Sequence, residues 1–259
     1  LIPNPIGKVL STIRKHRVRA LLMGGQACIL YGAAEFSRDI DLVILADEKN
    51  LERLMNALVE LHAEPEYFPA LGLDVLERGH ACHFRVHVRE AEGIRLDVMA
   101  TLRGCDPFSR LWQRRRRIRL PGPGWITLLN VTDLVQAKKT QRDKDWPMIR
   151  RLVEVDYQNR PARPSRKKID FWLREARTAL LLCELCRKYR RTAQRLANDR
   201  PALSWALKQD VPNVEQALHA EQEQLRAADR AYWQPLRDEL FRLRQEHHRK
   251  PEGGSLSSR

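Results

Sequence analysis

No apolar run in the 259 residues approaches the ~20 needed to span a bilayer. The opening stretch, LIPNPIGKVL, lacks the charged start and long apolar middle of a signal peptide. These absences make a soluble, cytoplasmic protein without a membrane partner the expectation. Cysteine is scarce: five residues, at 28, 82, 105, 183 and 186, too few and too irregularly spaced for a secreted disulfide framework. Cys183 and Cys186 form a CxxC inside a helical pattern. Zinc there would want a second ligand pair, so two small apolar helix residues is the favoured reading. There is no internal repeat, no extended low-complexity block, and no strand signal beyond position 165. Acidic residues are in the minority, 33 against 47 Lys and Arg, leaving a net charge of +14. That balance favours a polyanionic partner, whether nucleic acid, nucleotide or an acidic surface.

What is present is enough for a core, since 43% of residues are hydrophobic. Residues 5–17 read as a helix, with Ile6, Val9, Leu10 and Ile13 at helical spacing. Ala20 to Met23 is a short apolar run stopped by Gly24 and Gly25, a buried strand entering a tight turn. QACILYG reads as a short helix, and DIDLVIL at 39–45 as a second strand. Residues 47–62 read as an amphipathic helix with Leu51, Leu54, Met55, Leu58 and Leu61 on one face. HFRVHVR (83–89) and IRLDVMA (94–100) read as a hairpin joined by EAEG. A short helix follows Asp106-Pro107, then the basic run Arg114–Arg117, then a break at Pro121–Gly124. NVTDLVQAKK and KDWPMIRRLVE read as two helices.

The expected fold class is α+β: a small mixed sheet with flanking helices, followed by an all-helical part. The expected division is a first domain over 1–159, a linker at 160–165 (RPARPS), a helical domain over 166–250 built on Leu180, Leu181, Leu185 and Leu196, and a flexible tail at 251–259.

The candidate chemistry is acidic. Asp39 and Asp41 are two apart on a strand and so face one way. In an otherwise apolar strand they repel each other and cost desolvation energy, which a divalent cation removes. Oxygen ligands suit Mg²⁺ or Mn²⁺. Asp97 stands in a second apolar strand; beside DIDLVIL it brings a third carboxylate to the same place. The Gly24-Gly25 turn lets the backbone approach a ligand, with amides of the following helix facing a phosphate.

The order strand, GG, helix, DxD, later lone Asp resembles the nucleotidyltransferase superfamily that includes DNA polymerase β. Thirteen residues, Gln26 through Arg38, separate Gly25 from Asp39. Within that superfamily the segment MGGQACILYGAAEFSRDIDLVIL is most similar to the minimal bacterial nucleotidyltransferases and the AbiEii-type toxin group. That group usually has Arg where Glu35 stands and Thr where Ser37 stands, with Arg38 as a substitute positive charge here. DLVQAKKTQRDKDWPMIRRL continues the likeness through Asp133-Leu134, Lys138 or Lys139, and Lys144-Asp145, so that residues 15–155 are covered. The resemblance implies transfer of a nucleoside monophosphate from an NTP to an acceptor, with release of pyrophosphate. Asp39, Asp41 and Asp97 would be catalytic and metal-binding, and Gly24, Gly25, Ser37, Arg38, Lys138, Lys139 and Lys144 would bind the nucleotide. The alternative is a catalytically degenerate member acting as a nucleic-acid-binding or toxin–antitoxin interaction module with an antitoxin partner; Glu35 favours it and the intact Asp triplet opposes it.

Competing readings stand beside these. Asp97 next to Arg95 and Arg85 also fits a surface charge pair, and the three lysines fit a plain helix surface. His80, His83 and His87 are read as surface histidines before metal or substrate ligands, and Arg114–Arg117 as a solvated or acid-paired stretch before a phosphate reader. Residues 161–259 hold 21 Lys and Arg against 13 Asp and Glu. Within them Arg187, Lys188, Arg190 and Arg191 suit an RNA acceptor such as tRNA, or simply solvate a helical bundle.

Overall fold

The computed structural model describes residues 4–249; the expected tail at 251–259 lies outside them. Helix α1 (Asn4–Lys15) leads into β1 (Ala20–Met23), α2 (Gly24–Leu30) and β2 (Ile40–Ile44). Then come α3 (Glu48–Glu60), β3 (Ala63–Pro65), α4 (Leu73–Glu77), β4 (Cys82–Val86) and β5 (Arg95–Met99). The chain continues through α5 (Phe108–Gln113), β6 (Arg116–Leu120), β7 (Gly124–Leu128), α6 (Val131–Ala137) and α7 (Asp145–Gln158). The remaining elements are helices: α8 (Arg166–Glu175), α9 (Ala179–Lys188), α10 (Arg190–Leu196), α11 (Ala202–Leu207) and α12 (Val211–Arg249).

The strands form one mixed, seven-stranded sheet in the order β3-β4-β5-β2-β1-β7-β6. Its centre is parallel between β2 and β5 and antiparallel between β1 and β2. The expected α+β class is therefore observed, with a larger sheet than the sequence suggested. β3 and the β6–β7 hairpin are additions, and the break at Pro121–Gly124 is the turn of that hairpin. Leu21, Leu22, Leu42, Val43, Leu96 and Val98 are fully buried in the central strands, as strands covered on both faces must be.

Two helix faces differ from expectation. In α3 the buried positions are Asn50, Leu54, Ala57 and Leu58, and Met55 is 54% exposed. Asn50 takes an inward position because its amide is fully used. It accepts from Arg19 N and donates to the carbonyls of Arg19 and Leu45, joining the start of α3 to the ends of β1 and β2. Asp47 caps the same helix through the Asn50 amide. In the helical part Leu180 is 75% exposed, while Leu182, Leu185 and Leu196 form the core. Cys183 and Cys186 are buried, unbridged residues of α9, and burial pushes the Cys186 thiol up to about 12.

Residues 160–165 join α7 to α8, and the two helices pack directly. Tyr157 and Trp172 meet edge to face at 5.1 Å, and the Trp172 indole donates to Asp156. One buried cluster runs from Ile6 to Leu218 across sheet and helices alike. Helix α12, 39 residues long, buries Val214 and Leu218 and then runs back over the sheet-bearing part. There Asp229 accepts from Arg103, and Glu239 pairs with Arg78 and His80.

A single arginine ties the helical part together. Arg200, 5% exposed, donates to the carbonyls of Leu173 and Ala176 at the end of α8 and to Glu221 on α12. Removing one partner of such a buried network strands the others without water. Arg200→Ala should lower unfolding stability by about 3 kcal/mol in urea titration at pH 7. Arg200→Lys should recover little of it, because one ammonium cannot match the guanidinium fork. A loss below ~1 kcal/mol in either variant would contradict this role.

Candidate active site

The end of β1 brings the glycine turn to the first acidic strand. Met23 is paired with Asp41, so Gly24 begins α2 directly beside that carboxylate. Gly24 has φ of 65°, and a Cβ there would fall inside the Asp41 carboxylate. A Cβ on Gly25 would likewise collide with the Ser37 hydroxyl. Both glycines are therefore required for close approach, and Gly24 also for its backbone conformation.

Asp41 in β2 stands in parallel register with Asp97 in β5, which puts the two carboxylates side by side on one face. Asp39 precedes the strand and is half-buried. Burial, and next the neighbouring Asp97, hold the Asp41 carboxyl above the usual carboxylate range, with Lys138 and Arg142 opposing. Asp97 differs. Burial acts to raise it, but hydrogen bonds from His83 and Arg95 outweigh burial and hold it low. Both partners reach the same oxygen: His83 Nδ1 lies 2.8 Å and Arg95 Nε 2.8 Å from Asp97 Oδ1. Their positions follow from strand geometry. Arg95 is two residues before Asp97 and so shares its face, and His83 is paired with Asp97 across the β4–β5 ladder. Of the other histidines, His87 is exposed to solvent beside Glu92 and His80 is buried beside Glu239.

The expected phosphate contacts are distributed differently. Lys138 is buried and bonded to Asp145 at 2.7 Å; Lys139 is buried and bonded to Glu175 at 2.8 Å. Asp145 also accepts from Thr140 and Arg142. Lys144 is exposed at the start of α7. Ser37 packs on Gly25, whereas Arg38 extends over the Phe36 ring at 5.5 Å. Glu35 is exposed. The glycines, Ser37, Asp39, Asp41 and Asp97 thus meet in one region; Arg38 and Lys144 lie on the surface.

Asp41, His83, Arg95 and Asp97 line a cavity of about 300 Å³. It is also lined by two residues without a motif to mark them in the sequence, Asp229 and Trp233 of α12. Asp229 is 2% exposed and is fixed by Arg103, the Gln141 amide and the Trp233 indole. Its only sequence signal is an acid within a long polar helix.

A divalent ion between the aspartates needs their oxygens free. Here a guanidinium and an imidazole converge on Oδ1 of Asp97. Among the described residues no group of three or more His, Cys, Asp or Glu is disposed to hold a metal ion. As arranged, the residues do not fit the Mg²⁺ or Mn²⁺ site that the Asp triplet suggested.

No protein-family model matches the chain, and no curated protein matches it. Among solved structures it is similar to a candidate nucleotidyltransferase from H. pylori, at 13% identity and a TM-score of 0.40, over 85% of this chain and 94% of that one. It is also similar to the antibiotic-resistance factor ANT(2'')-Ia. The solution structure aligns at 14% identity and a TM-score of 0.35, over 75% of this chain and 94% of that one. The crystal structure with adenylyl-2''-tobramycin aligns at 14% and 0.34, over 71% and 96%. These are distant likenesses of fold, and they assign no role to any residue here.

The two aspartates should respond oppositely to pH. A raised carboxyl keeps its proton to higher pH folded than unfolded, so its charge costs stability as pH rises above the ordinary carboxylate range. Asp41→Asn should therefore raise the thermal midpoint by about 2–4 °C at pH 8 and by nothing near pH 4. A lowered carboxyl contributes stability above that range and loses it as pH falls through the folded value. Asp97→Asn should accordingly lower the midpoint at pH 8. Gly24→Ala, which meets both a forbidden φ and Asp41, should cost about 3 kcal/mol. A lower midpoint for Asp41→Asn at pH 8 would contradict this electrostatic account.

Proposed function

We propose that this chain is a nucleotidyltransferase-fold protein that binds nucleic acid without assembling a catalytic metal centre. The observation that carries the reading is the pairing of Asp97 with Arg95 and His83. Neutralising that carboxylate from within the protein takes the place of neutralising it with a cation. The partner class follows from where the positive charge is free. Buried basic residues are matched by acids: Lys138 by Asp145, Lys139 by Glu175, Arg200 by Glu221. Arg187, Lys188, Arg190 and Arg191 are exposed and have no acidic partner among the described residues. Lys188 and Arg160 both lie against the Tyr157 ring, at 5.9 and 4.0 Å, which gathers this charge at the junction of α7, α9 and α10. A phosphate backbone is the natural complement. An antitoxin in a toxin–antitoxin pair is the protein-partner form of the same module.

A second reading is catalytic: transfer of a nucleoside monophosphate from an NTP to RNA, such as tRNA, or to a protein, releasing pyrophosphate. The close approach of Gly24 to Asp41 and the in-register Asp41–Asp97 pair favour it. It requires Arg95 to leave Asp97 when substrate enters.

Two experiments separate these readings. Replacing Arg187, Lys188, Arg190 and Arg191 together with Gln should weaken binding to a structured RNA. It should also flatten the log–log salt slope by about 3, at ~0.7–0.9 for each phosphate no longer neutralised. Incubation with each labelled NTP, Mg²⁺ or Mn²⁺, and total cellular RNA or protein should yield no labelled acceptor. An unchanged salt slope would remove the nucleic-acid reading of this surface, and a labelled acceptor would establish the catalytic one.

A further inference from the structure

Six arginines converge at the opposite end of the sheet. Arg14 on α1, and Arg17 and Arg19 in the loop after it, line a cavity of about 250 Å³ together with Trp112 and Trp125. Arg115 lies over the Trp112 ring at 4.4 Å, with Arg19 at 5.8 Å from the same ring. Arg117 lies over Trp125 at 5.0 Å. Arg119 is paired directly with Trp125 across the β6–β7 ladder, and Arg117 with Thr127, so these four side chains share one face.

None of the six has a carboxylate partner among the described residues. The nearby acids are engaged elsewhere: Glu60 by Lys15 and His16, and Asp106 and Asp133 by Arg114. Arg114 thus fits the acid-paired reading of the Arg114–Arg117 run, and Arg115 and Arg117 do not. Trp125 is 47% exposed. β6 ends the sheet, and charge on an edge strand discourages further sheet pairing. That accounts for Arg117 and Arg119. It does not account for an exposed indole, or for Arg14, Arg17 and Arg19 arriving from α1.

We infer that this face binds a single-stranded segment of nucleic acid, with phosphates along the arginines and a base stacked on Trp125. The inference rests on the nucleic-acid reading above and assigns it a second surface, distinct from the α9–α10 charge. An aromatic platform within a track of unpaired cations fits single strands, because every base has a π-face and the backbone is read by charge alone. An acidic protein would be served by the arginines but gives no role to the exposed ring.

The test uses the full chain and fluorescein-labelled oligo(U) and oligo(dT) of twelve nucleotides, within the ~4–16 that such grooves cover. Anisotropy is followed across a salt titration, with quenching of tryptophan emission read in parallel. Trp125→Ala should weaken binding about tenfold and remove much of the quenching. Arg117→Gln with Arg119→Gln should flatten the salt slope by about 1.4, at ~0.7 per contact on a single strand. Replacing Arg187, Lys188, Arg190 and Arg191, the phosphate-binding surface proposed above, should cost the short oligomer less affinity than Trp125→Ala does and leave the quenching in place. All these residues are exposed, and melting curves matching the parent's establish that the variants fold. Binding that depends only on the α9–α10 residues overturns the inference and leaves the broader reading standing. No binding of any nucleic acid overturns both. With Arg187, Lys188, Arg190 and Arg191 replaced, equal affinity for a twelve-pair duplex and for the oligomer, or displacement by poly-glutamate as effective as by unlabelled oligomer, also overturns it.

Discussion

Asp97 stands beside a second aspartate in the middle of a sheet whose buried residues are mostly Leu, Val and Ile. Two carboxylates in that position repel each other and lose hydration, and much of the surrounding structure is arranged to offset this. Arg95 and His83 close on Asp97 from its own strand and the next. Lys138 and Arg142 act on Asp41 from the far side, themselves anchored to Asp145. The compensation is unequal: one carboxyl is held low and the other high. Gly24 then presses on the less compensated of the two. The charge of Asp97 is thus met by side chains of the protein itself.

Charge is sorted by depth throughout the molecule. Inside, cations are bound one by one to acids or carbonyls, as burial demands. Arg200 and Arg177 on Glu221, and Arg103 on Asp229, draw α12 onto both the helical bundle and the sheet. Outside, the arginines without a carboxylate partner among the described residues include those on α9–α10 and those along β6 and the end of α1.

Much of the central sheet could be read from the sequence. Apolar runs marked β1 and β2, the hairpin pattern marked β4 and β5, and the glycine pair marked the turn before α2, because these signals are local. The register of Asp41 with Asp97 was legible only as a condition on which strands pair. The β6–β7 hairpin is hard to read because its alternation, Arg117-Ile118-Arg119-Leu120, follows directly on Arg114–Arg116. Arg95 was visible as a neighbour of Asp97, whereas the arrival of His83 on the same oxygen depends on the β4–β5 register. Lys138 and Lys139 could not be told from surface lysines, since their acids lie 7 and 36 residues away in sequence. Asp229 and Trp233 were not legible at all: their place in the cavity depends on where a 39-residue helix comes to lie.

The most direct test is calorimetric titration of Mn²⁺ into the protein with a non-hydrolysable NTP analogue present, comparing the parent with Arg95→Gln. If Arg95 and His83 satisfy Asp97, the parent shows no saturable stoichiometric binding of Mn²⁺, and Arg95→Gln gains it. Stoichiometric Mn²⁺ binding by the parent at micromolar affinity, abolished by Asp41→Asn, would contradict the account and return the site to metal-dependent chemistry.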